Sequence, residues 1–137
     1  MINFPHNALN SQLADHCDSK KNHISWLFHF HLKSEANISR CWAIKSKVNR
    51  NQKLIIRFKF FNEKPKINLP CEVKLTRISP RQLDFDNLVY AFKSIRDEIA
   101  DQILPGLAKG RADGDKRITW EYLQEKGPYA VKVEIFY

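Results

Sequence analysis

Nothing in this chain is apolar for long enough to span a bilayer; no run approaches the roughly 18 residues a spanning helix needs. The opening residues, Met1-Ile2-Asn3-Phe4-Pro5-His6, lack the basic start and apolar core of a secretory signal. Cysteine is scarce. Cys17, Cys41 and Cys71 are odd in number, widely spaced and without a Cys-x-x-Cys pair, which argues against a disulfide framework and a zinc ribbon. Together these absences lead to the expectation of a cytoplasmic protein. There is no P-loop and no Gly-x-Gly-x-x-Gly, so a nucleotide-binding phosphate cradle is not expected. Nor is there a Ser-His-Asp pattern, an internal repeat or a low-complexity tract. What remains is a chain of 137 residues, 43% hydrophobic and 28% charged, which suits one globular domain with a real core.

Acidic residues are missing from one stretch in particular. Between residues 40 and 66 stand Arg40, Lys45, Lys47, Arg50, Lys53, Arg57, Lys59, Lys64 and Lys66, nine cations opposed only by Glu63. That leaves +8 on the segment, equal to the net charge of the whole chain. A concentrated basic patch is the electrostatic footprint of a phosphate-binding surface. The plainer alternative is a solvated helix face. An anionic membrane fits less well, because the segment is not a clean basic amphipathic helix.

Residues 1–22 show no sustained period and read as an irregular lead-in. From Ile24 to Leu32, the apolar Ile24, Trp26, Phe28 and Phe30 alternate with Ser25, His29 and His31, a strand pattern. Asn37-Ile38-Ser39 offers a helix entry capped by Ser39. Trp42 to about Phe61 reads as mostly helical, although Leu54 to Phe61 is β-branched and aromatic enough to form a strand. Pro65 and Pro70 interrupt the chain before a second alternating segment from Cys71. The clearest helix runs from about Asp86 to Asp101, where Leu88, Phe92, Ile95 and Ile99 make one apolar stripe. Pro105, Gly106, Gly110 and Gly114 mark a loop. Two closing strands, Ile118 to Gln124 and Ala130 to Tyr137, flank the turn Lys126-Gly127-Pro128 and read as a hairpin. The expected fold class is α/β (α+β): a single mixed sheet of about four strands with two main helices packed on it.

Inside this basic chain lie two acidic clusters. Leu83-Asp84-Phe85-Asp86-Asn87-Leu88 sets two carboxylates at the mouth of the Asp86 helix, and Asp113-Gly114-Asp115 follows in the loop. At about 100° per residue, Asp86, Tyr90, Lys93 and Asp97 fall on one narrow stripe opposite the apolar face. Asp84 points the same way if the extended geometry before the helix continues. Mg²⁺ takes one or two carboxylates and completes its shell with water and substrate phosphates. Acids for a metal, with cations around them for nucleic acid, are what a metal-dependent nuclease needs. Helix capping accounts for one aspartate at such a position but not for two. Asp113 and Asp115 alone fit an ordinary Asp-Gly turn; a returning loop could nonetheless bring Asp115 to the other two. A calcium EF-hand does not fit, since its required Gly and Glu positions hold Val89 and Ile95. His29 and His31 alternate on a strand, where surface positions are the simpler reading than metal ligation.

On these residues, together with Lys93-x-x-x-Asp97 and Gly114-Asp115-Lys116-Arg117-Ile118, the stretch from about 71 to 137 resembles the RusA family of phage and prophage Holliday-junction resolvases. The resemblance implies one nuclease domain over residues 1–137, acting as a cytoplasmic homodimer that uses Mg²⁺ to nick four-way DNA junctions. It implies metal-binding and catalytic roles for Asp84, Asp86 and Asp115. The family's lysine, one turn after the second aspartate, is replaced here by Tyr90; Lys93, two turns on, faces the same way and takes that role. Arg40, Lys45, Lys47, Arg50, Lys53 and Arg57 are then expected to grip the junction arms through phosphate contacts. No membrane and no small-molecule cofactor is expected. The rival readings are a non-catalytic DNA-binding module whose aspartates cap helices, and an RNA-binding or toxin-like protein that stacks bases on Trp42 and Phe58.

Overall fold

A computed structural model describes residues 21–34 and 41–137. The polar lead-in up to residue 20, Cys17, Arg40 and the proposed Ser39 cap lie outside the described residues. The chain order is β1 (His23–Phe28), α1 (Trp42–Glu63), β2 (Cys71–Ile78), α2 (Phe85–Ala91), α3 (Lys93–Ile103), a 3₁₀ turn (Ala112–Gly114), β3 (Ile118–Glu125) and β4 (Ala130–Phe136). The result is an α+β fold with a mixed four-stranded sheet in the order β1-β4-β2-β3. No helix among the described residues is long and apolar enough to cross a membrane.

β4 pairs antiparallel with both β1 and β2, while β2 and β3 are parallel. Parallel neighbours need a long crossover, and this one carries α2, α3 and the 3₁₀ turn. β3 and β4 therefore do not form the hairpin suggested by their short connection; β2 lies between them. Four residues suffice for this. Flanking strands sit about 10 Å apart across a central one, within reach of a short extended link. The link hugs the end of β2: the Ser79 amide donates to Glu125 O (3.1 Å), and the Gly127 amide donates to Ser79 O (3.4 Å). A Cβ at Gly127 would stand 2.9 Å from Ile78 Cγ2, so close approach explains the glycine. β1 forms one edge of the sheet, and Asn22 extends its ladder by exchanging two backbone hydrogen bonds with Tyr137.

α1 is one helix to its end, including the Leu54–Phe61 portion. Gln52, Ile56 and Phe60 recur every fourth residue and are its buried residues, while Ile55, Phe58 and Phe61 stay exposed. Spacing by turns lets aromatic and branched residues be shared between a core face and a solvent face. Trp26 of β1 packs edge-to-face on Phe60 at 4.9 Å, and its indole N–H donates to Glu63 (2.5 Å) near the helix end. A buried polar tie from Ser94 Oγ to Gln52 Oε1 (2.6 Å) joins α1 to α3.

The expected single helix after Asp86 is two helices, broken at Phe92, which has φ −83° and ψ −4°. No proline or glycine marks the break. The apolar stripe nevertheless runs through it: Leu88, Phe92, Ile95 and Ile99 are all buried in the core with Val73, Leu75, Val131, Val133 and Ile135. Phe92 is packed against Tyr122 of β3 at 6.0 Å.

A carboxylate pocket beside a lysine-lined cavity

The segment that delivers the first acids to the surface is held from β3. The Gln124 side-chain amide accepts from Leu83 N (2.8 Å) and donates to Leu83 O (2.7 Å), gripping both backbone groups of the residue before Asp84. Arg77, buried in β2, adds a second tie by donating to Leu32 O (2.8 Å) and Arg81 O (2.7 Å). Burial pushes its guanidinium below the usual arginine range.

Asp84 occupies the N-cap of α2, yet its carboxylate bonds no helix amide. It accepts from Asn87 Nδ2 at 3.0 Å, and Asn87 in turn meets Ser34 Oγ at 3.4 Å. Asp86, in the first turn of α2, is exposed, and its carboxylate makes no hydrogen bond to any described residue. It opens on a cavity of about 310 Å³ lined by Val89, Tyr90, Lys93, Arg96 and Asp113.

Asp113, rather than Asp115, is the loop carboxylate that joins Asp86 there. Arg96 secures it: Nη2 donates to Asp113 O (3.0 Å), Nη1 donates to Tyr122 Oη (2.8 Å), and Nε lies 3.5 Å from Asp113 Oδ2. The indole N–H of Trp120 donates to the same Asp113 carbonyl (3.1 Å), while the Arg96 guanidinium lies over the Trp120 ring at 5.2 Å. Asp115 is engaged elsewhere. Both of its oxygens accept from the Arg117 guanidinium (3.0 and 2.9 Å), and Oδ1 also accepts from the Arg117 amide (2.9 Å). Those side-chain and backbone bonds hold its carboxyl down at about 2. The three-carboxylate set Asp84, Asp86 and Asp115 is thus not assembled. Among the described residues no group of three or more His, Cys, Asp or Glu is placed to hold a metal.

Two carboxylates in one solvent-open cavity still match Mg²⁺, which keeps several waters and fills its shell from substrate. Asp86 has both oxygens free of described partners, and Asp113 has one oxygen not facing Arg96.

A second cavity, of about 220 Å³, lies where α1 meets α2 and α3. Tyr90 and Lys93 line both cavities, and Lys33, Lys45, Lys53 and Asp97 are the other charged residues that line this one. The wheel stripe of Asp86, Tyr90, Lys93 and Asp97 therefore divides, with an acid at each end and the shared pair between. The Asp97 carboxyl is raised, first by burial and then by the charge of Asp113, against the opposing pull of Lys53 and Lys93.

The basic residues of α1 split into groups. Lys45 and Lys53 face the cavity, Lys47 and Arg50 are exposed, and Arg57 is tied to Glu98 of α3 by two bonds of 2.9 and 3.0 Å. His29 is exposed, and His31 stacks on Tyr129 with centroids 3.8 Å apart. Burial, and then the charges of Lys33 and Arg77, lower the pKa of His31; neither histidine belongs to an acidic or cysteine cluster.

Arg96 and Lys33 went unnoticed in the sequence. Arg96 had a usable signal, since it follows Lys93 by three residues and so neighbours it on the helix surface. Lys33 had none, because only the path of its loop brings it to α1. No protein-family model and no curated protein sequence matches this chain.

Proposed function

We propose that this protein is a Mg²⁺-dependent, structure-selective endodeoxyribonuclease that resolves four-way DNA junctions by paired nicking, as its resemblance to the RusA family implies. The observation that carries the reading is the meeting of Asp86 and Asp113 with Lys93 and Arg96 in one open cavity, beside a second cavity walled by lysines. Asp86 and Asp113 would hold Mg²⁺, with Asp84 two residues before Asp86 at the helix mouth. When bound there, Mg²⁺ polarises a phosphoryl oxygen and eases deprotonation of a water.

The chain's own groups do the rest. Lys93, on the wall between the cavities, places positive charge against the phosphate undergoing attack, where charge develops in the transition state. Arg96 is immobilised by Tyr122, Trp120 and Asp113, so it orients Asp113 rather than moving with the substrate. Lys45, Lys47, Arg50 and Lys53 supply contacts to backbone phosphates that position the DNA without reading its sequence. Two such sites on a cytoplasmic homodimer match the two-fold symmetry of a junction.

The test is cleavage of labelled four-way junctions with and without Mg²⁺, by the protein and by Asp86→Asn. Cleavage should need Mg²⁺ and vanish in the variant, while junction binding stays within a few fold. The second reading, a DNA-binding module without catalysis, draws support from the engagement of Asp84 by Asn87 and Asp115 by Arg117. It requires binding with no Mg²⁺-dependent cleavage.

A further inference from the structure

The carboxylate pocket lies at the end of a longer path. Trp42, the first residue of α1, is 82% exposed, and its ring stacks on no described aromatic side chain. It borders a groove of about 480 Å³ with Arg50, Lys45 and Lys53. Lys45, Asn49 and Lys53 also line the lysine cavity, and that cavity shares Tyr90 and Lys93 with the pocket of Asp86 and Asp113. Shared lining residues set the three recesses in series, a route from Trp42 to the acid pocket. Arg57 and Arg96, which also line it, are paired with Glu98 and Asp113; Lys33, Lys45, Arg50, Lys53 and Lys93 are the cations along it that are not within ion-pair distance of a described carboxylate.

We propose that this route takes a single unpaired strand of DNA, with a base stacked on Trp42 and the backbone running past the lysines to the Asp86–Asp113 pocket. The proposal deepens the nuclease reading and rests on it only for the chemistry at the acidic end. A wide indole face in water, at the mouth of a basic groove, is the arrangement that single-strand binders use: charge tracks the backbone and an aromatic ring stacks on a base. Duplex DNA offers no free base face to Trp42, because its bases are already stacked on one another. The length also fits. Eleven residues separate Trp42 from Lys53, about 16 Å of helix, or on the order of five nucleotides at about 3.4 Å each. That length lies within the range of single-strand site sizes.

Binding can be measured in EDTA, apart from any cleavage. The probes are a labelled oligothymidylate of about eight nucleotides, within the range of single-strand site sizes, a blunt duplex of equal length and an oligouridylate. Trp26 is buried and Trp120 half-buried, so Trp42 supplies the emission most open to quenching by a stacked base. The single strand should quench tryptophan fluorescence and bind several fold more tightly than the duplex. Trp42→Ala should weaken single-strand binding about tenfold, read by anisotropy. Lys45→Gln with Lys53→Gln should flatten the slope of log affinity against log salt by about 1.4, two phosphate contacts' worth. Lys116→Gln with Lys126→Gln, which are exposed and line none of the three recesses, should leave it unchanged. Thermal melting of each variant checks that it is folded.

Equal affinity for duplex and single strand, wild-type binding by folded Trp42→Ala, or an equal loss from the Lys116/Lys126 variant overturns the proposal. Preference for the oligouridylate overturns its assignment to DNA. A protein that passes these tests yet never cuts a junction in Mg²⁺ loses the nuclease reading and keeps the strand route; one that cuts without them does the reverse.

Discussion

Replacing Arg57 with Met separates two roles that its charge alone cannot distinguish. In sequence it belongs to the basic segment expected to hold DNA, while in the fold it bonds both oxygens of Glu98 at 2.9 and 3.0 Å. Glu98 has only 4% of its side chain exposed. Burial alone would raise its carboxyl; hydrogen bonds from Arg57 and Gln102, with the charge of Arg57, outweigh that and hold it below the usual glutamate range. Removing one partner of a fully buried pair costs about 3–5 kcal/mol. Arg57 is 50% exposed, so solvent screens part of the interaction. Gln102 still donates to one oxygen at 2.9 Å, which leaves the other without a described donor. About 2 kcal/mol is the expected loss, between the surface and buried limits. For a chain of this length that lowers Tm by roughly 6–10 °C. Arg57→Met with Glu98→Gln should recover at least about 1 kcal/mol, because no buried charge is left unpaired.

The pH dependence has a definite sign. Since the folded Glu98 carboxyl is depressed, its contribution is present above the unfolded value of about 4.3 and is lost as pH falls through the folded one. The gap between wild type and Arg57→Met should therefore narrow in acid. Urea melts of the four proteins in the double-mutant cycle, at neutral pH and near pH 3, measure this. Salt titrations of DNA binding supply the other half, and their slope should match wild type. A stability loss under about 0.5 kcal/mol, as at an ordinary surface site, together with a slope flattened by about one contact, would refute the reasoning and return Arg57 to the DNA surface.

The acid pocket makes a further distinction: Asp113→Asn should lower junction cleavage at least about a hundredfold, like removal of a strong transition-state contact, while Asp115→Asn stays within a few fold; the reverse order in single-turnover rates would put Asp115 back in the metal set. Lys93→Ala should slow single-turnover cleavage more than Tyr90→Phe, since only Lys93 carries positive charge on their shared wall, and equal mild effects would leave that role unfilled. Asp97→Asn should raise Tm at neutral pH. With its folded carboxyl raised, ionised Asp97 weakens the fold, and stability falls as pH climbs from the unfolded to the folded value; the gain should disappear below about pH 4, and a lower neutral Tm would contradict it. Light scattering at micromolar concentration, with and without junction DNA, should report a dimer; 16.1 kDa in both conditions would remove paired nicking by a preformed dimer.

Periodicity alone determined much of the architecture. The alternation of Ile24, Trp26 and Phe28, the stripe Leu88–Phe92–Ile95–Ile99, and a four-stranded mixed sheet were legible because burial of a face repeats every second residue in a strand and about every third or fourth in a helix. The approach of Asp86 to Lys93 was legible for the same reason, being local to two turns of chain. Other features depended on contacts remote in sequence. The break at Phe92 carries no proline or glycine and goes with packing against Tyr122. The place of β2 between β3 and β4 reflects strand pairing that a four-residue link allows but does not dictate. The choice between Asp113 and Asp115 was decided by two arginines, Arg96 reaching across to the first and Arg117 closing on the second. Spacing places side chains only relative to their own element; which carboxylate faces Asp86, and which lysines of α1 meet Lys33 and Lys93, is set when the elements pack.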